Sequence, residues 1–115
     1  MSEEILDLKE LMERVQDDVE LLKELLQIFS EDFPQKRKAL GEAVAQRDLE
    51  QIKSLAHSLK GASGNLSAKA IHAICLAIEQ KVKANDLAPL TDLIKTLDQH
   101  YVDFQGRIAK LKDEI

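Results

Sequence analysis

The chain has 115 residues, 44% hydrophobic and 32% charged, with a formal net charge of −5, proportions expected of one globular domain rather than of a disordered or membrane chain. Two prolines and four glycines interrupt long stretches of Leu, Ala, Glu, Lys and Gln, and aromatic residues make up only 3%, so the class is all-α. One cysteine, Cys75, excludes an internal disulfide and a cysteine-based metal cluster, and its expected place is the core.

The opening Met1-Ser2-Glu3-Glu4 lacks the basic start of a secretory signal, and no stretch approaches the length of a membrane span, which predicts a cytoplasmic location. A short amphipathic helix follows from about Ile5 to Arg14. Val19, Leu22, Leu25, Leu26 and Phe29 form one stripe of a second helix, with Asp17 as its expected N-cap and an end before Pro34. A third helix is expected from Pro34, a residue suited to a first turn, through Leu40 and Val44 to about Gln46. Asp48 then caps a fourth helix that runs to about Asn65. The fifth spans about Ser67, read as a cap, to Asn85, and the sixth runs from about Asp86 or Leu87 to the C-terminus. Short connections between long amphipathic helices imply antiparallel neighbours. The expected fold is an antiparallel up-down four-helix bundle with one or two extra short helices, as a single domain over residues 1–115.

Charge is unevenly distributed. Residues 1–32 carry three basic and eleven acidic side chains, residues 33–69 seven basic and three acidic, and the remainder six against seven. A basic middle third within an acidic protein argues against general nucleic-acid binding and for a local acidic or anionic partner.

The fourth helix carries the chemistry. On a wheel of 100° per residue, Ile52, Leu55, Leu59, Ala62 and Leu66 cluster opposite His57, which therefore points away from the core. Lys53, Lys60, Gly61 and Gly64 fall within about 60° of it. A glycine inside a helix costs about 1 kcal/mol relative to alanine, so two on one exposed face point to a need for close approach by another surface; Gly64 also reads as a C-cap. Imidazole, with an ordinary pKa near 6.5, offers a neutral attacking nitrogen at cellular pH. Lys60, one turn on, can donate charge-assisted hydrogen bonds to phosphoryl oxygens. No Gly-rich phosphate loop, HExxH motif or serine-acid arrangement appears. Autonomous kinase or phosphatase activity is therefore not expected, because the metal and positioning groups of phosphoryl transfer must come from a partner. His72 and His100 flank apolar stripes and read as boundary residues, and their spacing gives no support to a zinc site.

The segment Ala56-His57-Ser58-Leu59-Lys60-Gly61-Ala62-Ser63-Gly64-Asn65-Leu66 closely resembles the signature of histidine-containing phosphotransfer (HPt) domains of multistep phosphorelays. Leu25 to Phe33, Pro34, Leu40, Ala43 and Asp48-Leu49 resemble the two helices that precede it in that family. The resemblance implies that His57 is the phosphoacceptor, Lys60 the phosphate-stabilising residue, and Gly61 and Gly64 the clearance for an incoming partner. It also implies a supporting role for a polar residue of the following helix, Gln80 or Glu79, and the wheel and the charge distribution make Lys53 a further supporting residue. No bound cofactor or metal is implied, Mg2+ being supplied by the partner. The partners implied are response-regulator receiver domains and a hybrid sensor histidine kinase, with the chain acting as a monomer. Apolar residues of the second helix ringed by Lys36, Arg37 and Lys53 are expected to meet the receiver. Ser67 stands where many members carry glycine, and its expected compensation is capping of the next helix. The competing readings are a scaffold that binds a receiver without being phosphorylated, and a metal-binding bundle with an accidental match.

Overall fold

Five α-helices and no strand make up residues 4–114, the residues described by the computed structural model. Met1, Ser2 and Glu3 of the acidic opening, and Ile115 at the end of the expected domain, lie outside the described residues. The helices are α1 (Leu8–Arg14), α2 (Val19–Ala45), α3 (Leu49–Asn65), α4 (Lys69–Lys83) and α5 (Leu90–Glu114). Among the described residues no helix is long and apolar enough to cross a membrane.

The long helices form a four-helix bundle with α1 laid across one end. α3 packs between α2 and α4, and α4 packs on α5. The ring closes where Phe29 and Phe33 of α2 meet Tyr101 and Phe104 of α5 and where Arg37 forms an ion pair with Asp98. On α3, His57 faces Glu79 while Lys60 faces both Glu79 and His72, so positions advance along α3 as they retreat along α4. The core is a single cluster running from Leu11 through Leu22, Leu26, Leu40, Ile52, Leu59, Ile71, Cys75 and Leu97 to Leu111.

The expected break at Pro34 does not occur, and five helices replace the expected six. Pro34 lies inside α2, where its ring removes one backbone donor and crowds the preceding turn, a cost of about 3 kcal/mol. Contacts of the preceding turn with Tyr101 of α5 offset it. Phe33 is buried and stacks on Tyr101 with ring centroids 3.8 Å apart. The Ser30 carbonyl, which would have accepted from residue 34, accepts from the Tyr101 hydroxyl at 3.5 Å. The apolar stripe Leu22, Leu26, Phe29, Phe33, Leu40, Ala43 thus runs unbroken through the proline.

Two helix caps are displaced by one residue from expectation, for the same physical reason. Asp18, not Asp17, caps α2, accepting from the Leu21 N–H, because Asp17 takes a left-handed conformation at φ +61°. Ser67 likewise does not cap α4: it sits at φ +56°, and Ala68 occupies the cap position without a side-chain bond. Asp48 caps α3 as expected. α1 starts only at Leu8, capped by Asp7, and α5 at Leu90, just past Pro89. The tight turns after α1 to α4 all pass through left-handed residues, Gln16 and Asp17, Arg47, Ser67 and Asn85, and none is glycine.

Candidate functional site

The α3 helix buries Ile52, Ala56, Leu59 and Ser63 against the core, which turns His57 outward with 70% of its side chain exposed. The partner of its ring comes from α4. Glu79, a carboxylate only 4% exposed, lies 2.9 Å from His57 Nδ1 through Oε2 and 2.7 Å from Lys60 Nζ through Oε1. One buried carboxylate therefore bridges an imidazole and an ammonium group, each a turn apart on α3.

The Lys60 hydrogen bond, and after it the His57 bond, hold the Glu79 carboxyl below its usual range despite burial, which pushes the other way. An ionised carboxylate only accepts, so the proton of a neutral His57 resides on Nδ1. The lone pair is then left on Nε2, on the exposed side of the ring.

Lys60 is 21% exposed and committed to Glu79. Its carbonyl accepts from Ser63 Oγ at 3.1 Å and from His72 Nδ1 at 3.0 Å. At Gly61 a Cβ would meet nothing within 4 Å, and the helix surface beside the histidine is bare. Gly64 differs. A Cβ there would lie 3.0 Å from His72 Nδ1, so the space it leaves is filled by the chain's own histidine rather than held open for a partner. Gly64 is also inside α3, not a C-cap.

The two residues named on α4 are separated by the structure. Glu79 reaches the histidine, whereas Gln80 is exposed and makes no side-chain hydrogen bond among the described residues, one position being about 100° around a helix. Lys53 lines an open hollow of about 430 Å3 beside His57, together with Glu50, Ser54, Glu79 and Lys83. Sequence reasoning missed Lys83, although its place four residues after Glu79 on one helix face was a usable signal. Lys36 donates to Ser58 Oγ at 2.7 Å and pairs with Asp32. Arg37 does not join the basic ring expected beside the histidine, because its guanidinium is bound by Asp98 on α5.

On the neighbouring face, Leu25, Ile28, Phe29 and Asp32 of α2 and Ala62, Asn65 and Leu66 frame an apolar groove of about 150 Å3, with Ile28 61% exposed. His72 and His100 are half-buried. Among the described residues no three His, Cys, Asp or Glu side chains converge as a metal site would require.

The Hpt domain family model matches residues 24–112. No curated protein matches the sequence. Among solved structures, the bundle is similar to histidine-containing phosphotransfer protein B from Pseudomonas aeruginosa PAO1, with a TM-score of 0.83 at 23% identity over 96% of each chain. It is also similar to histidine-containing phosphotransfer protein MtHPt2 from Medicago truncatula, with a TM-score of 0.82 at 23% identity over 95% of this chain and 78% of that one. The HPT domain of a sensor hybrid histidine kinase from Shewanella gives 0.79 at 18% identity over 96% of both chains.

Proposed function

The chain belongs to the Hpt domain family, a family of histidine phosphotransfer domains in two-component phosphorelays, and on that footing we propose that His57 is its phosphoacceptor. The observation that carries the assignment is the Glu79 carboxylate 2.9 Å from His57 Nδ1. It holds the proton on the inner nitrogen and leaves Nε2 as the nucleophile.

In the transfer the Nε2 lone pair forms the N–P bond as the bond between phosphorus and the receiver's aspartyl oxygen breaks, and the aspartate leaves as a carboxylate. No proton need move. The ring becomes cationic, and Glu79 stands beside the new charge. The same steps reversed hand the group to a second receiver. Mg2+ belongs to the receiver in this reading: of the two carboxylates on the hollow, Glu50 and Glu79, the latter is already shared by His57 and Lys60. Lys60 acts chiefly through Glu79, and Gly61 supplies the clearance for the approaching surface. The chain works as a monomer in the cytoplasm, as a relay intermediate without kinase or phosphatase activity of its own, and a hybrid sensor kinase is among its partners. The receiver docks over Ile28 and the groove between α2 and the end of α3, where Lys36 supplies positive charge toward its acidic phosphorylation site, and Lys53 supplies more from the hollow on the other side of His57.

The test is incubation of the chain and a His57→Gln variant with Mg2+ and an aspartyl-phosphorylated receiver domain, scoring acid-labile, base-stable phosphate. Label on the native chain and none on the variant is expected. Label that persists on the variant would place the acceptor elsewhere, and absence of label on both, across several receivers, would leave the scaffold reading standing.

A further inference from the structure

The hollow beside His57 contains four residues of the N-terminal half of α3 and the stripe Glu79–Lys83 of α4, but no atom of Lys60 or Gly61. The His57 ring lines this hollow together with Lys53 and Ser54, while its Nδ1 is turned to Glu79. Lys60 is in any case spoken for, with Nζ 2.7 Å from Glu79. Lys53 and Lys83 are both exposed and pair with no acidic side chain among the described residues. The Ser54 hydroxyl is exposed and likewise uncommitted.

We propose that Lys53 and Lys83, with the Ser54 hydroxyl between them, form the cradle for the phosphoryl group on His57 Nε2, and that Lys60 instead positions Glu79. The proposal rests on His57 being the phosphoacceptor. In the phosphorylated chain the ring carries one positive charge against Glu79, and the phosphoryl group carries about two negative charges that need cations on the solvent side. The hollow supplies two, tempered by Glu50 on its rim. Lys53 stands on α3 and Lys83 on α4, so the two cations reach the hollow from different helices.

A small phosphodonor separates this role from contact with a partner's acidic surface. Phosphoramidate and a phosphorylated receiver would each be used to label the native chain and the variants Lys53→Met/Lys83→Met, Lys53→Arg/Lys83→Arg and Lys60→Met, with 31P NMR following the phosphohistidine and thermal melts checking the fold. The methionine double variant is expected to reach about fivefold lower labelling at equilibrium from both donors, the effect of two solvent-exposed charge contacts, with a shifted phosphohistidine resonance and recovery in the arginine variant. Equal labelling of native and double variant by phosphoramidate would overturn the cradle, whether or not transfer from the receiver slowed. A phosphohistidine resonance that moves only in Lys60→Met would return the role to Lys60. A native chain that accepts no label from either donor would defeat the assignment of His57, and the cradle with it.

Discussion

His72 occupies the volume that a side chain at residue 64 would need: a Cβ on Gly64 would lie 3.0 Å from His72 Nδ1, whose proton is held by the Lys60 carbonyl 3.0 Å away. The glycine on α3 and the histidine on α4 are complementary shapes. Gly64→Ala alone is therefore expected to displace the imidazole and bring no gain in stability, although alanine in a helix is ordinarily worth about 1 kcal/mol over glycine. In a His72→Ala background the same change should stabilise by about that amount. Denaturant melts of the four proteins measure the coupling, and equal effects of Gly64→Ala in both backgrounds would show that the two residues do not compete.

Removing the Glu79 charge should affect both chemistry and stability. Glu79→Gln leaves Lys60 without its counter-charge and frees His57 to adopt the other tautomer, so the transfer rate is expected to fall by about tenfold or more. The loss of stability should be about 1–3 kcal/mol near neutral pH. The folded carboxyl titrates below its ordinary value of 4.5, so its stabilisation is complete above that pH and disappears as pH falls through the depressed value. Melts from pH 7 to 3 should show the two proteins converging on the acid side. A constant gap would contradict an ionised Glu79.

Acid should also loosen α1. Glu10 accepts from Lys69 Nζ, then Ser67 Oγ and Arg14, which lowers its pKa from 4.5 to about 2. A lowered carboxylate pKa stabilises the fold above 4.5, and the contribution is lost as pH falls from 4.5 toward 2. Glu10→Gln should flatten the acid limb of the stability curve and show its largest deficit at neutral pH and low salt. An acid limb identical to that of the native chain would dismiss the network as a determinant.

The left-handed turn residues offer a stabilising change. Arg47 is exposed at φ +55°, a conformation costly for a residue with a Cβ, and Arg47→Gly should gain about 0.5–1 kcal/mol after the added freedom of the unfolded chain is counted. The preceding Gln46 is right-handed, so Gln46→Gly should lose stability instead. Chemical denaturation of the pair decides it, and a loss at both positions would refute the strain argument.

The helical class and the outward face of α3 were legible because both follow from periodicity within one segment. Pro34 was misread because its effect depends on Tyr101, 67 positions away, which stacks on Phe33 and reaches the Ser30 carbonyl. Periodicity could bring α4 against α3 but not fix its register, which is why Glu79 and Gln80 stood level until the packing placed one inward. The same register, invisible in a single helix, made Gly64 look like an open approach when His72 fills it. Arg37 read as a free cation because its partner Asp98 belongs to the last helix.

Because each long helix packs on the next one in sequence, with α5 returning to α2 last, most of the bundle can assemble from short-range encounters. The His57–Glu79 joint closes a loop of only 22 residues, whereas the Arg37–Asp98 tie spans 61. Chains with such local topology fold on microsecond to millisecond timescales, since little closure entropy precedes each reward. The α3–α4 hairpin is thus the natural nucleus, and pulse-labelled hydrogen exchange should find its amides protected before those of α5. The proposed acceptor, His57, would be assembled with its Glu79 partner before the rest of the bundle has closed around it.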